Sequence, residues 1–280
     1  MLSLALGLLA AFLWGLHDYV VRLIGGRADP LAMLLMALAT GAILLAGPAL
    51  MADGWDRFTL VELGYAAVSG MFYALGTYGL YRAFTIGPVR LVAPICGAYP
   101  LLSVAFQMAR GNEAAAAVWV GVVAIVTGIS LVTRGDAEQA TDRQLEAVLC
   151  SLLAAFGFAL TFGFSQWAAE TAPNMPVVWV ARLFAVGTVV VLVLARKVAL
   201  RPAVSIWRAL ALMGALDSVS IALVTLAGGW PHPEYAAVTA SMFGIVTVLM
   251  AWRFLGETMR LVQWIGILAA FGGIAILTLA

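Results

Sequence analysis

Apolar residues run in blocks of about twenty along the whole chain, and short clusters of charged or turn-forming residues interrupt them at near-regular intervals. A helical block of that length covers roughly 30 Å, the thickness of the hydrocarbon core of a bilayer. Reading from one cluster to the next predicts ten spans. The first five cover 3–24, 30–51, 60–82, 88–109 and 114–133, and the second five cover 146–168, 175–196, 204–227, 233–254 and 260–279. "GGRADP", "ADGWDRF", "TIGP" and "RGNE" separate the first five, and "ETAPNMP", "RKVALRP", "GGWPHP" and "LGETMR" separate the second. Only "RGDAEQATDRQ", 134–144, has the character of a soluble linker.

The two groups of five read as copies of one unit. "LLAAF" stands at 8–12 and again at 152–156, and the same shift of 144 places Gly70 on Gly214 and Ala83 on Ala227. At a shift of 145, Pro88, Trp119, Gly121, Ala124, Gly128, Ile129 and Thr133 fall on Pro233, Trp264, Gly266, Ala269, Gly273, Ile274 and Thr278. A register held within one residue from the start of each half to its end marks an internal repeat. The expected organisation is a first five-helix repeat at 1–134, a linker at 135–144 and a second repeat at 145–280. Five crossings per copy is an odd number, so the second copy enters the membrane upside down relative to the first. Inverted repeats of this kind are a plan of secondary transporters, because the pair can pack in two equivalent ways, each open to one side.

Composition agrees with the pattern. Hydrophobic residues make up 64% of the chain, charged residues 10%, and the mean hydropathy is +1.04; soluble domains carry roughly 45–50% apolar and about 25% charged residues. The fold class expected is therefore an all-α membrane protein of ten transmembrane helices in two inverted repeats, with backbone hydrogen bonds satisfied inside helices. The first span has no basic n-region and carries His17, Asp18 and Arg22, so it reads as a retained helix rather than a secretory signal. Cys96 and Cys150 lie in apolar segments at positions that are not repeat-equivalent, which fits small buried hydrophobes.

The Lys and Arg residues set the orientation. Of 15, twelve flank the odd-numbered connections, only Arg57 and Arg110 flank the even ones, and Arg182 lies inside the seventh span. Positive flanks stay in the cytoplasm, so both termini are expected outside and the linker between the repeats inside.

Ionisable groups within a span are costly and mark candidate functional positions. The first span carries Trp14, His17, Asp18 and Arg22, spaced by three and four, on one stripe of the helix. Asp18 either pairs with Arg22 one turn on or, with His17, serves substrate or protons. Asp217, deep in the eighth span, is either held by Ser218, Ser220 or Arg182 or acts with Asp18 on an ammonium group or a proton. Tyr78 and Tyr99 are the deeper tyrosines and the better cavity candidates, whereas Tyr81, Trp167 and Trp179 fit an interfacial aromatic belt. "PICGAYP" sets Pro94 and Pro100 either side of a glycine, which bends the fourth span beside a cavity. The matching stretch of the ninth span has Thr239, Ser241 and Gly244 instead, predicting flexibility without a proline kink. Ser241 joins the cavity set, and Gly244 joins Pro94 and Pro100 as a bend or gating position. His232 and Glu234, in the loop before that span, are expected to face solvent.

Other classes fare worse. There is no GxxxxGK[ST] or GxGxxG motif to hold a nucleotide, and with only His17 and His232 there is no HExxH zinc site. No cofactor, metal or nucleic acid is expected, and the chain is expected to act as a monomer within the lipid bilayer. An intramembrane aspartyl protease would need two facing aspartates; Asp18 and Asp217 offer the pair, but Ala215 stands where that motif places a glycine. A channel would need an ordered polar ring, which the scattered polar residues do not suggest.

Trp14-Gly15 in the first span, Pro100 thirteen residues before Glu113, and Leu255-Gly256-Glu257 before the last span resemble the EamA-like ten-helix exporters of the drug/metabolite transporter superfamily. Among them the chain looks most like the YddG-type amino-acid exporter branch. The likeness spans essentially the whole chain, with two departures: Gly244 replaces a proline thirteen residues before Glu257, and Gly111-Asn112-Glu113 replaces Leu-Gly-Glu. It implies a bacterial inner-membrane protein that exports small amphipathic metabolites, amino acids foremost, through a central cavity lined by spans 1, 3, 4, 6, 8 and 9. Better-known members keep their termini in the cytoplasm, against the charge count. Cationic drugs or polyamines are the alternative cargo, favoured if Asp18 or Asp217 faces the cavity.

Overall fold

The computed structural model describes residues 2–102, 115–134, 142–227, 230 and 233–279. Arg110, Glu113, His232 and positions 135–141 of the linker lie outside the described residues. Among those described, the chain is all helical. The ten spans are α1 (Leu2–Ile24), α2 (Pro30–Leu50), α3 (Leu60–Ile86), α4 (Val89–Gly97, resuming over 99–102), α5 (Ala116–Arg134), α6 (Asp142–Ala169), α7 (Asn174–Ala195), α8 (Trp207–Ala227), α9 (Pro233–Ser241 with Phe243–Phe254) and α10 (Leu261–Leu279). Five helices, α1, α2, α6, α7 and α8, each exceed the length and hydropathy needed to cross a bilayer on their own.

Local chemistry sets several ends. Asp29 caps α2 by accepting from Leu31 N at 2.8 Å, with Pro30 in the first turn, where its missing N–H costs nothing. Thr59 and Glu62 form a capping box at the start of α3. Gly256 ends α9 in the left-handed region, φ 69°, which lets the Glu257 N–H return to the Ala251 carbonyl at 3.3 Å.

Helix contacts run through small residues, as expected where lipid removes the hydrophobic drive between helices, and they carry the symmetry of the repeat. A Cβ on Gly70 of α3 would overlap the Ala181 carbonyl of α7, and a Cβ on Gly214 of α8 would overlap the Ala37 carbonyl of α2. Shifting by 144 turns the first contact into the second with the halves exchanged. Gly76 likewise approaches the Ala154 carbonyl, and its equivalent Ser220 donates to the Ala10 carbonyl at 3.3 Å. Where α5 crosses α10, Gly128 abuts the Gly266 carbonyl and Gly273 abuts the Gly121 carbonyl. Reciprocal contacts of this kind are produced by a two-fold relation between the halves.

Two helices are broken at equivalent places. Helix α4 turns at Ala98, where Ala98 N donates to Ile95 O at 3.2 Å and Leu101 N to Ala98 O at 3.0 Å. Helix α9 turns at Met242, 144 positions on, where Met242 N donates to Thr239 O at 3.2 Å and Ile245 N to Met242 O at 2.9 Å. Pro100 explains the first break, because it has no N–H for the Cys96 carbonyl. The second is a correction to the expectation of mere flexibility: α9 breaks without a proline. There Ser241 Oγ donates to Val238 O at 2.7 Å and Thr239 Oγ1 to Ala236 O at 3.4 Å, so hydroxyls take up carbonyls that a continuous helix would use. Gly244 lies beyond the turn, where any side chain would run into the Phe271 ring of α10.

Candidate functional site

A cavity of about 720 Å³ lies between the halves, within the size range of small-molecule sites. Its walls come from α1, α3, α4, α6, α8 and α9, and α7 adds Val178, Ala181 and Arg182. One end is shut. There Arg22 donates to Glu257 at 3.3 Å and to the Phe84 carbonyl at 3.0 Å, Glu257 accepts Val89 N at 3.0 Å, and Arg82 pairs with Glu146 at 2.6 Å. Towards the other end the wall runs through Phe164, Gln166 and Trp167 of α6 and Thr225 of α8.

The floor is polar and divides into two clusters. In the first, Asp217 of α8 accepts Trp14 Nε1 at 3.0 Å and the Tyr73 hydroxyl at 3.1 Å, and meets Arg182 Nη2 of α7 at 2.5 Å. Arg182 also donates to Tyr73 Oη at 3.1 Å and stands 4.6 Å over its ring. Asp217 is thus surrounded by donors, and the buried guanidinium is spent on it. The second cluster joins α1 to α3: His17 Nδ1 lies 2.9 Å from Asp18 Oδ1, and its Nε2 lies 3.1 Å from the Tyr81 hydroxyl. Asp18 is 3% exposed, and its Oδ2 has no hydrogen-bond partner. The hydroxyl of Thr77, facing the same cavity one turn from Tyr73, is also buried and unpartnered.

Above the floor the walls are aromatic. Trp14 meets Phe243 edge-on at 6.2 Å between ring centres, Tyr73 and Tyr99 flank Phe158, and Tyr99 lies 5.0 Å from Phe162.

Of the sequence candidates, Trp14, His17, Asp18, Tyr99, Asp217, Ser241 and Pro100 line this cavity. Tyr78 does not. Tyr73, Thr77 and Leu80 follow the helical spacing of four and three on the cavity face, and Tyr78 falls on the next face, 3.4 Å from Arg196. Pro94 is buried within the first stretch of α4, and the helix turns at Ala98 instead. Arg22 does not pair with Asp18 but reaches across to Glu257. Tyr81 is no belt residue: it is 1% exposed and bonded to His17. Trp167 lines the cavity. The α6 phenylalanines were missed because an apolar aromatic run carries no polar signal to set it apart from lipid-facing sequence. Tyr73 shares its helix with Tyr78 and Tyr81, and only the helical phase separates it from Tyr78.

An all-helical membrane protein of two repeats, with two broken helices and a polar-floored cavity between the halves, has the architecture of a membrane transporter. The chain belongs to the EamA-like transporter family, whose model matches it twice, over residues 1–134 and 145–279. A solved structure titled "Crystal structure of protein" shares the fold at a TM-score of 0.69 and 15% identity, covering 99% of this chain and 97% of the other. No curated protein matches.

Proposed function

We propose that this transporter is a secondary carrier that moves small amphipathic organic cations across the membrane by alternating access, exporting them from the cell. The observation that carries this reading is the imbalance of charge on the cavity floor. Asp18 has a carboxylate oxygen without a donor, whereas Arg182, the cavity's buried guanidinium, is engaged by Asp217 and Tyr73. A buried carboxylate with an unmet oxygen is costly, and a cargo ammonium would offset that cost. The Trp14, Tyr73, Tyr99 and Phe158 rings nearby suit the same cargo, since a desolvated cation over an aromatic face gains about 0.5–2 kcal/mol.

Amino acids, the cargo implied by the branch resemblance, would satisfy Asp18 with their ammonium but would bring a carboxylate onto a floor where Arg182 is already committed. Phenylalanine and the trimethyl(phenethyl)ammonium cation share ring and chain length; the cation lacks the carboxylate and offers Asp18 its charge without an N–H. Counterflow of each in proteoliposomes tests the reading: the quaternary cation should exchange and phenylalanine should exchange far more slowly. Faster exchange of phenylalanine would return the assignment to amino acids.

The charge count supports an orientation with both termini outside. The cavity's unlatched end is the one where α1 begins, so the conformation would be outward-open.

A further inference from the structure

Resting on the carrier reading above, we infer that Asp18 is the coupling site, a carboxylate that takes a proton or the cargo cation in turn and is presented to opposite sides of the membrane. Three observations lead there.

The first is the contrast between the two buried aspartates. Asp217 is held by Trp14, Tyr73 and Arg182, while Asp18 has one partner, His17, and one unmet oxygen on a cavity wall. Only the second can gain a proton or a cation without first losing a neighbour.

The second is where each lies relative to the two-fold. Tyr73 and Asp217 are repeat-equivalent, 144 positions apart, and bonded to each other. A contact between equivalent positions maps onto itself when the halves exchange roles, so it persists in both open states. Asp18 has no such protection. Its equivalent is Phe162, half-buried on the open wall of α6, whereas Asp18 now sits where α1 closes on α3.

The third is the pair of side chains that shuts the cavity over it. His17 and Tyr81 are bonded at the closed end, and their equivalents Thr161 and Thr225 line the cavity on α6 and α8. Exchanging the roles of the halves brings Thr161 towards Thr225 and draws His17 from Tyr81, which exposes Asp18 to the other side. One carboxylate then meets each compartment in turn.

The titratable and charged groups around Asp18 are His17 of its own helix, Tyr73 and Tyr81 of α3, Cys96 of α4, Arg182 of α7 and Asp217 of α8. Among the described cavity residues of α9, Ala240, Ser241 and Phe243 bring no titratable group. Arg182 and Asp217 offset each other, leaving the Asp18 carboxylate to take up a proton or a cation.

One proton exchanged for one monovalent cargo lets a gradient of one pH unit sustain about a tenfold cargo gradient. Proteoliposomes with the membrane potential clamped at zero would be given such a gradient and radiolabelled trimethyl(phenethyl)ammonium. Wild type should approach tenfold accumulation, and Asp18→Asn, which lacks the carboxylate that holds both cargo and proton, should take up the cation no faster than empty liposomes. Accumulation by Asp18→Asn would overturn the inference and leave the carrier reading intact, as would wild-type counterflow without accumulation. Absence of wild-type counterflow of the cation would overturn the organic-cation reading on which the inference rests. A second measurement needs no variant: dicyclohexylcarbodiimide modifies protonated buried carboxyls. Peptide mass analysis of wild type should find it on Asp18, decreasing as pH rises and blocked by the quaternary cation; an unmodified Asp18, or modification on Asp217 alone, would overturn the assignment.

Discussion

Tyr73 and Asp217 occupy the same position in the two repeats, and the Tyr73 hydroxyl donates to the Asp217 carboxylate at 3.1 Å, so the polar core of the transporter sits where its halves meet. Arg182 closes the cluster at 2.5 Å from Asp217. Removing one member of such a buried pair leaves the other charge uncompensated, at a cost of about 3–5 kcal/mol, whereas replacing both by apolar groups is often neutral. Asp217→Asn should therefore lower the unfolding temperature sharply, and Arg182→Met with Asp217→Leu should recover most of the loss. Thermal unfolding of the purified protein in lipid nanodiscs, followed by tryptophan fluorescence, checks this. An Asp217→Asn protein of wild-type stability, with unchanged transport and pH dependence, would remove the cluster from both structure and mechanism.

The crossing of α3 and α6 gives an asymmetric prediction. A Cβ on Gly157 would come within 2.5–2.9 Å of the Gly76 and Phe72 backbone, whereas a Cβ on Gly76 would meet α6 at 3.2–3.3 Å. Backbone cannot yield as a side-chain tip can, and overpacking costs about 1–3 kcal/mol. Gly157→Ala should destabilise by that order and Gly76→Ala by clearly less. Equal losses in denaturation by a graded detergent mixture would contradict the geometry.

Much of this fold was legible beforehand, for physical reasons that apply unevenly along the chain. Bilayer thickness dictates span length, so α1, α2, α6, α7 and α8 stand out as long apolar runs. The glycines at 70, 128, 214, 266 and 273 betrayed the repeat because close backbone approach tolerates no side chain there. His17, Asp18 and Asp217 stood out because charge in hydrocarbon is costly. The break in α9 was not legible, since Ser241 and Thr239 disrupt a helix through hydrogen bonds that no short motif signals. Nor was the choice of Tyr73 over Tyr78, which turns on about 100° of helical rotation per residue.

The orientation proposed from the charge bias is directly measurable. Arg57 lies in the short helix Trp55–Arg57, beside the Trp55, Phe58 and Trp179 cluster at the end of the bundle remote from the Arg22 latch. A single cysteine at position 57, in a protein with Cys96 and Cys150 replaced by Ser, should react with a membrane-impermeant maleimide in intact cells. A cysteine at position 197, just past α7, should react only after the membrane is opened. The reverse pattern would place both termini in the cytoplasm and make the captured state inward-open.

The latch at the closed end should set which state the resting protein favours. Glu257 holds three elements at once: it accepts Arg22 Nε of α1, accepts Val89 N at the start of α4, and follows the left-handed Gly256 that ends α9. Glu257→Gln keeps the size and an acceptor oxygen but removes the charge, weakening charge-assisted bonds that run to roughly twice the strength of neutral ones. Leu80 lies on the cavity wall near this end and is 5% exposed. In a background with Cys96 and Cys150 replaced by Ser, a cysteine at position 80 should react slowly with a polar maleimide applied from the latch side. Adding Glu257→Gln should speed that reaction by about tenfold, the effect of a 1.4 kcal/mol change in the balance of states. An unchanged rate with intact folding would show that His17 and Tyr81, rather than the latch, keep that end shut.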